Sequence, residues 1–394
     1  MVTFFGLGNI LGAGIYVLVG KVAGEAGYFA PLAFFVASVI AAVSAFTYAE
    51  LSSRYPYSAG VAVYLNEGLN LRVLTIGVGL LIATAAMVST SALAHGFAGY
   101  LAVFLDVSTW VIMTGIVLLL GALAAWGIGI SVLVASVFTV IELIGLLIIT
   151  VLGSDFILSD EVTVASTAFS LDTLSWAGVF SGAFLAFYAY LGFEDMVNVA
   201  EEVKEPEKNM PRAVIIAVVI STLLYAAVST VSVLVIEPSQ LALSQAPLAD
   251  VYETITNEKP VLLSIIGLFA VINGALIQII MSSRLLYGMS RNNWLPGFLS
   301  QINGTTKTPV NATLLVTLIV LIFSLLFHLV TLAQITSYIV LSVFALVNLS
   351  LIKIKLNKPV PENVMIYSIW VPIMGFITTL LFIFIEIGAQ VFGS

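Results

Sequence analysis

The chain has 394 residues and a net charge of −8; 61% of its residues are hydrophobic and only 9% are charged, against roughly 25% charged in an ordinary soluble domain. A soluble domain cannot bury so much apolar surface, so the composition predicts a polytopic helical protein in a lipid bilayer. The absence of cysteine excludes disulfides, thiolate catalysis and cysteine-ligated metals, and the two histidines have no metal-binding spacing. We expect no metal and no cofactor. We also expect no nucleic-acid partner, because no basic cluster is interleaved with aromatic residues.

Uncharged runs of about 20 residues, long enough to cross a bilayer as a helix, recur along the chain and predict an all-α protein of about 11 transmembrane spans. The chain opens directly in the first run without a basic flank and cleavage site, so we expect no removable signal peptide. Segment 237–259, with Pro238 and Pro247, is too polar to span and predicts an outer loop with a short helix. The predicted spans are 2–20, 30–53, 73–104, 109–126, 130–153, 176–200, 213–236, 260–292, 310–330, 334–354 and 364–388.

The basic residues are sorted by loop. With the N-terminus inside, eleven of the thirteen lie on the cytoplasmic side, and only Lys21 and Lys259 lie outside. The positive-inside rule expects this sorting, so the sequence predicts a multi-pass protein of the cell (cytoplasmic) membrane with a cytoplasmic N-terminus.

Glycine-broken stretches interrupt the first and sixth spans, at Gly6-Leu7-Gly8-Asn9-Ile10-Leu11-Gly12-Ala13-Gly14-Ile15 and at Ala189-Tyr190-Leu191-Gly192-Phe193-Glu194-Asp195. If spans one to five and six to ten are two copies of one unit, the breaks occupy corresponding places. An odd number of helices per copy means that the copies are inserted upside down relative to each other. The sequence therefore predicts a 5+5 inverted repeat, with repeats at 1–153 and 154–354 and an accessory C-terminal helix at 355–394.

The broken helix ends predict a binding chemistry. Unpaired N–H groups at a half-helix N-terminus favour a carboxylate, and unpaired carbonyls at the facing end favour an ammonium. Such a site suits a zwitterion, and glycines such as Gly12 let a substrate approach the backbone closely. The alternative is that Gly8 and Gly12, in small-xxx-small spacing, only allow close helix packing. The paired occurrence of the breaks favours a site.

Several separated segments carry a family resemblance, and they follow one another in family order from span one to span nine. They are Gly8-Asn9-Ile10-Leu11-Gly12-Ala13-Gly14-Ile15-Tyr16, Tyr48-Ala49-Glu50-Leu51, Pro56-Tyr57-Ser58-Ala59-Gly60 with Tyr64, Phe187-Tyr188-Ala189-Tyr190-Leu191-Gly192-Phe193-Glu194, Ala200-Glu201-Glu202-Val203-Lys204-Glu205-Pro206, Met210-Pro211-Arg212-Ala213, Ser283-Arg284-Leu285-Leu286-Tyr287-Gly288-Met289-Ser290-Arg291, Leu295-Pro296 and Thr308-Pro309. In these segments the chain resembles the amino acid, polyamine and organocation (APC) superfamily of transporters, and among them the amino acid permeases.

The resemblance implies the leucine-transporter fold, with discontinuous helices 1 and 6, and transport by alternating access. Carried onto this chain, the family pattern implies that the backbone N–H groups of Ala13 and Gly14 bind the substrate carboxylate. It likewise implies that the backbone carbonyls of Ile10, Tyr188 and Leu191 bind the substrate amino group.

Three side chains in spans three and eight are candidates for contacting the substrate side chain: Thr90, Met87 and Gln278. Ordinary interhelical packing is the alternative for each of them, and it is favoured for Met87.

The chain departs from the family pattern at two points. Family members usually have twelve or more spans, so eleven leaves the tail, the dimer contacts and the oligomeric state open. The second departure is Glu142 in span five, where many proton-coupled and sodium-independent relatives have a lysine.

A carboxylate near the bilayer midplane, where Glu142 is expected, costs several kcal/mol unless it is paired, protonated or bound to a cation. One hypothesis is that Glu142 is a protonation switch or a cation ligand near the carbonyl of Gly8. The alternative is that Glu142 hydrogen-bonds a neighbouring backbone group or Asn273 and holds the bundle together.

Two further glutamates are candidates for gating. Glu194 directly follows the second break, and the resemblance implies proton sensing or gating there; the alternative is a carboxylate in a water-filled inner vestibule. We expect Glu50, near the inner end of span two, to pair with Arg284 or Arg291 and to lock the cytoplasmic side.

The leading interpretation is a secondary active transporter that moves amino acids by proton symport or by exchange, with sodium also open as the coupling ion. It is not an enzyme, because the sequence offers no catalytic constellation, and no nucleotide-binding loop is present to drive transport by hydrolysis. The alternative substrates are polyamines or other organocations. A channel is disfavoured, because discontinuous helices at a closed midplane site interrupt a continuous pore. No acid is placed to receive a basic side chain, which favours neutral amino acids.

Overall fold

The computed structural model of the protein describes residues 2–57, 60–127, 132–158, 174–359, 361 and 364–392, and among them it contains helices and no strand. The α-helices, numbered in chain order, are α1 Val2–Leu11, α2 Ala13–Ala26, α3 Ala30–Arg54, α4 Gly60–Leu69, α5 Arg72–Ala102, α6 Thr109–Trp126, α7 Val132–Leu158, α8 Trp176–Phe187, α9 Pro206–Val235, α10 Pro238–Leu243, α11 Pro247–Thr256, α12 Val261–Arg291, α13 Val310–Leu326, α14 Leu329–Asn357 and α15 Trp370–Phe392. Short 3-10 segments lie at Gly27–Phe29, Tyr188–Tyr190, Glu194–Glu202 and Gly297–Ser300.

The predicted all-α polytopic architecture is confirmed. In the described part of the chain, nine helical runs are long and apolar enough to cross a membrane. The first run, Val2–Arg54, holds the first two spans, and Val310–Leu326 is a shorter apolar helix. Together they account for the eleven spans that the hydropathy pattern predicts.

The seventh span begins at Pro206, seven residues before the predicted start at 213. Pro206 lies in the first helical turn, where the missing N–H has no intrahelical partner to lose. Pro211 lies inside the helix and cannot donate to the Glu207 carbonyl, but the Ser53 hydroxyl of α3 donates to that carbonyl at 2.6 Å. A tertiary contact therefore replaces the hydrogen bond whose loss would otherwise end the helix.

The polar segment 237–259 contains two short helices, α10 and α11, where the sequence predicts one. This segment packs on the end of α2 that is distant from the first break. A Cβ on Gly24 would lie 2.8 Å from the Cβ of Ala242, so the two backbones approach closely. The Lys21 ammonium donates to the carbonyls of Ala242 and Ser244, the second at 3.2 Å. The loop therefore covers one end of the first span.

A buried aromatic cluster fixes the sixth span against its neighbours. The ring of Tyr48 on α3 is fully buried and lies edge-on to Tyr64, Phe193 and Phe344, at centroid distances of 6.3, 5.7 and 5.3 Å. Edge-to-face pairs of this kind contribute about 0.5–1.5 kcal/mol each beyond area burial. Because Phe193 lies in the interruption of the sixth span, the cluster holds that interruption against α3, α4 and α14.

Candidate functional site

The first span is interrupted at Gly12. Its backbone, at φ −40° and ψ −149°, leaves the helical region between α1 and α2, and no side chain caps the start of α2. The N–H of Gly12 still donates to the Gly8 carbonyl at 3.0 Å, so the ladder ends immediately after it. The first N–H groups of α2, which begin at Ala13, therefore have no intrahelical acceptor.

The sixth span is interrupted after Phe187, where α8 gives way to a 3-10 turn and then to a reversal around Gly192. Gly192 has φ +122°, a backbone conformation that favours glycine. Its N–H donates to Oε2 of Glu194 at 2.9 Å, and the N–H of Leu191 donates to the Tyr188 carbonyl at 3.2 Å. Both predicted interruptions are present: the first lies at Gly12, and the second extends from the end of α8 at Phe187 through Gly192.

The two interruptions contact each other directly. A Cβ on Gly192 would lie 2.5 Å from the Asn9 carbonyl oxygen, and a Cβ on Gly14 would lie 2.6 Å from the Cα of Ala189. Only glycine at these two positions allows the backbones to approach so closely. The two broken helices therefore touch where they meet, and we call this arrangement closed.

Tyr225 on α9 joins the two interruptions, and the sequence analysis did not identify it. Its fully buried hydroxyl lies 2.6 Å from the Ile10 carbonyl oxygen and 2.8 Å from the Ala189 carbonyl oxygen. One hydroxyl hydrogen can serve only one of these acceptors at a time. The signal in the sequence is a single tyrosine within an apolar helix, which alone does not indicate a partner.

Two of the side-chain candidates lie together. The Thr90 hydroxyl, on buried Thr90, donates to the Ala86 carbonyl at 2.7 Å and lies 3.3 Å from Oε1 of Gln278 across the α5–α12 interface. Met87 is buried in the hydrophobic core, and nearby the Tyr188 hydroxyl lies 2.8 Å from the Ser89 hydroxyl. A hydroxyl–amide pair thus joins α5 to α12, and the Tyr188 side chain, in the interruption of the sixth span, is anchored to α5.

Glu142 is fully buried on α7, and Nδ2 of Asn273 on α12 lies 3.4 Å from its Oε1. Its backbone carbonyl accepts a hydrogen bond from Tyr16 on α2 at 2.5 Å. Oε2 of Glu142 and Oδ1 of Asn273 have no hydrogen-bond partner among the described residues. The contact with Asn273 that the sequence offered as one alternative is present. Within the part of the chain that the structure describes, one oxygen of each side chain remains free to accept a further hydrogen bond.

Gly8 faces Thr139, which lies one turn before Glu142 on α7. A Cβ on Gly8 would collide with the Thr139 hydroxyl, and this hydroxyl donates to the Ala135 carbonyl at 2.9 Å. The Gly8 carbonyl accepts from Gly12 N–H, so it serves the helix ladder. The first span therefore packs tightly on the helix that carries Glu142.

The expected pairing of Glu50 with Arg284 or Arg291 is wrong. Glu50 pairs with Arg54, one turn on along α3, at 2.8 Å and with Lys355 of α14 at 2.7 Å, not with Arg284 or Arg291. Its Oε2 also accepts the N–H of Tyr367 at 3.0 Å. All three charged side chains are buried, so this network ties α3, α14 and the segment before α15 together at one end of the bundle.

A family model described as amino acid permease matches residues 1–394, the whole length of the chain. The chain belongs to the amino acid permease family, and the resemblance drawn from its motifs is confirmed. Members of this family are transporters, which are not enzymes, and amino acid transport is the general activity that this membership supports.

Three curated relatives illustrate the range of the family. The chain is 27% identical over 382 residues to the branched-chain amino acid permease BcaP of Bacillus subtilis, covering 91% of this chain and 80% of the relative. It is 26% identical over 378 residues to the methylthioribose transporter of the same organism, with coverage of 91% and 80%. It is 28% identical over 385 residues to cationic amino acid transporter 4 of Homo sapiens, with coverage of 92% and 60%.

Proposed function

We propose that the protein is a secondary active transporter that carries amino acids across the cytoplasmic membrane by alternating access. The observation that carries this proposal is the direct contact between two interrupted helices, at Gly12 and at Gly192. Backbone groups that leave a helix ladder inside a membrane need partners, and a bound solute supplies them. We further propose that the two interruptions belong to inverted repeats at 1–153 and 154–354, followed by an accessory helix.

The substrate carboxylate is assigned to the N–H groups of Ala13 and Gly14, and the ammonium to the carbonyls of Ile10, Tyr188 and Leu191. The uncapped start of α2 supports the first assignment, because its N–H groups and dipole attract an anion. Ile10 supports the second, because its carbonyl projects at the interruption and already accepts a hydrogen bond from a hydroxyl. A carbonyl has a second lone pair for an ammonium.

Neutral amino acids are the proposed substrates, with Thr90 and Gln278 near the substrate side chain. Glu194 is engaged by the N–H of Gly192, which leaves it less available to a cationic side chain. The names of the relatives include branched-chain and cationic amino acids and methylthioribose, so each class needs a direct test. Thermal shift of the purified protein with leucine, arginine, putrescine and methylthioribose separates them, because a ligand that binds only the folded state raises the melting temperature.

Transport itself is tested in proteoliposomes. A carrier shows saturable counterflow, in which unlabelled internal amino acid accelerates entry of labelled amino acid, whereas a channel shows none. An imposed pH or sodium gradient distinguishes symport from exchange, because exchange proceeds without either gradient.

Glu142 is the proposed coupling residue, as a protonation switch or a cation ligand with Asn273, and Glu194 is proposed to act in gating. The unpartnered Oε2 of Glu142 supports this role, since a buried carboxylate needs a proton or a cation there. We expect Glu142→Gln to abolish the dependence of uptake on pH or on sodium. Glu386→Gln is the control, because Glu386 on α15 is another carboxylate with low exposure, and its Oε1 accepts a hydrogen bond from Nε2 of Gln390 at 3.1 Å. Unchanged dependence on both ions in Glu142→Gln contradicts the proposal.

The proposed orientation, with a cytoplasmic N-terminus, is open to a direct test because the chain has no cysteine. Single cysteines at exposed Lys208 and Glu258 provide one label site on each proposed side. An impermeant maleimide applied to intact cells is expected to label position 258 only. Labelling of position 208 alone would reverse the orientation.

A further inference from the structure

A small polar cavity lies between the ends of α6, α12 and α13, away from the interrupted helices. Its volume is about 150 Å³, and it is lined by basic and hydroxyl side chains that include Arg284, Lys307, Ser283, Thr306 and Thr313. Successive spans run in opposite directions, so the last turns of α6 and α12 and the first turn of α13 lie at the end of the bundle where α1 begins. The cavity lies at that end. None of the transport steps proposed above uses these residues.

The charge at this cavity is positive and uncompensated. Between Glu258 and Glu362 the chain contains no acidic residue, and α12, α13 and the connection between them lie within that stretch. Neither Arg284 nor Lys307 forms an ion pair within the residues that the structure describes. The N-terminus of the 17-residue helix α13, which begins at Val310, adds the positive end of its dipole.

The negative end of α6 also reaches this region, but its nearby carbonyls are already satisfied. The N–H of Gly127 donates to the carbonyls of Leu123 and Ala124, and the Thr308 hydroxyl donates to the Ala125 carbonyl at 2.6 Å. The carbonyls of Leu123, Ala124 and Ala125 are therefore already engaged and are not free to oppose the positive groups of the cavity.

The loop that carries Lys307 is held in one conformation by its own hydrogen bonds. The side chain of Asn303 accepts from the N–H of Thr305 at 2.9 Å and of Thr306 at 3.2 Å, and its carbonyl accepts from the N–H of Lys307 at 3.0 Å. Lys307 itself has φ +59°, which a lysine adopts rarely. The turn thus fixes the backbone from which the Lys307 side chain extends, so that binding of an anion has to order only that side chain.

The flank of the cavity is apolar and faces outward. Trp126 at the end of α6 and Leu314 in the first turns of α13 are 76% and 59% exposed, and Leu118 and Leu318 continue this exposed surface along the same two helices. A tryptophan at a helix end beside exposed leucines is typical of the membrane–water interface. An anion bound in the cavity can therefore be attached to acyl chains that lie along α6 and α13.

We propose that this cavity is a phosphate-binding site and that its occupant is the headgroup of an anionic phospholipid, held by Arg284, Lys307 and the hydroxyls around them. Basic pockets between transmembrane helices bind such headgroups through charge-assisted hydrogen bonds. A soluble phosphate ester would satisfy the same polar groups but would leave the apolar flank unused.

The test compares two double variants of the full-length protein in neutral detergent. The cavity variant is Arg284→Gln with Lys307→Asn, since asparagine tolerates a left-handed backbone. The control variant is Arg291→Gln with Lys353→Gln, which removes the same charge at the same end of the bundle but outside the cavity. Each protein is titrated with phosphatidylglycerol, with phosphatidylcholine and with glycerol 3-phosphate, and bound lipid is counted by native mass spectrometry alongside the melting temperature.

We expect phosphatidylglycerol to bind the wild type and the control variant, and its affinity for the cavity variant to be about tenfold or more weaker. The melting temperature without lipid shows whether each variant is folded. Equal affinity of the two variants for phosphatidylglycerol would overturn the site, and binding of phosphatidylcholine as tight as that of phosphatidylglycerol would overturn the anionic headgroup. Saturation by glycerol 3-phosphate at the same concentration as the lipid would overturn the lipid assignment.

Discussion

Replacing Gly192 by alanine tests the contact between the two interruptions most directly. The new Cβ would lie 2.5 Å from the carbonyl oxygen of Asn9 and 2.6 Å from its carbonyl carbon, both of them backbone atoms that cannot rotate away. The φ of +122° adds torsional strain for any residue other than glycine. Strain of this kind costs about 1–3 kcal/mol, and overpacking of a well-packed region costs about as much again.

A penalty of at least about 2 kcal/mol falls on the arrangement in which the interruptions are in contact. It shifts the ratio of closed to open carriers by about 30-fold or more, because each tenfold change corresponds to about 1.4 kcal/mol. If the carrier works by alternating access, as proposed, every transport cycle passes through this arrangement, and we expect the initial rate of counterflow in proteoliposomes to fall by a similar factor. Gly14→Ala, which adds only the steric contact with Ala189, is expected to act in the same direction and less strongly.

Gly288→Ala is the matched control. Gly288 lies within helix α12, and a Cβ there would meet no atom within 4 Å. This change is expected to leave transport unchanged and to stabilise the helix by up to about 1 kcal/mol. Counterflow by Gly192→Ala at the wild-type rate, with an unchanged melting temperature, would refute the argument that the closed contact between the two interruptions is essential.

Three other changes have defined outcomes. Tyr225→Phe removes the hydroxyl that joins the two interruptions and should lower the free energy of unfolding by about 1–3 kcal/mol, because a buried carbonyl loses its donor; an unchanged melting temperature would contradict the bridge. Glu50→Gln leaves two buried cations without their carboxylate and should cost about 3–5 kcal/mol, whereas Glu67→Gln, in a more exposed pair, should cost about 1 kcal/mol or less; equal melting temperatures would contradict this ranking. Burial raises the pKa of Asp250 in the outer loop, and a hydrogen bond from Ser244 at 2.5 Å opposes the rise. The stability contributed by protonated Asp250 is therefore lost as the pH rises through its folded pKa. Asp250→Asn should raise the melting temperature at neutral pH and leave it unchanged below about pH 4. A lower melting temperature of this variant at neutral pH would show that the carboxylate itself is needed.

The interruptions were predictable from the sequence because a glycine widens the backbone conformations that are open to the chain at its own position. Gly12 and Gly192 stand in apolar spans where few other residues would permit the chain to leave the helix, and the structure interrupts both spans at these glycines. The pairing of Asn273 with Glu142 was also accessible, since both are polar residues in apolar spans and need a partner there.

The contacts that join distant segments were not predictable in the same way. Tyr225 meets carbonyls 215 and 36 residues away, and nothing local marks those carbonyls as its acceptors. The partner of Glu50 was assigned to the wrong helix although Arg54 follows it at the i,i+4 spacing, which places two side chains on one helix face. That spacing is a local signal for the pair with Arg54, whereas nothing in the sequence marks Lys355 on α14 as the second partner.

The single hydroxyl of Tyr225 bears on how loading and closure are coupled. It lies within hydrogen-bond distance of two carbonyls but has one hydrogen to donate, so while both carbonyls lie beside it one of the two lacks this donor. An unserved acceptor in a dry interior costs about 1–3 kcal/mol. If the substrate ammonium binds the Ile10 carbonyl as proposed, it brings three donors and frees the hydroxyl for Ala189. On this proposal the loaded carrier closes at a lower cost than the unloaded one, and this differential stabilisation would let a substrate shift the carrier toward its closed arrangement.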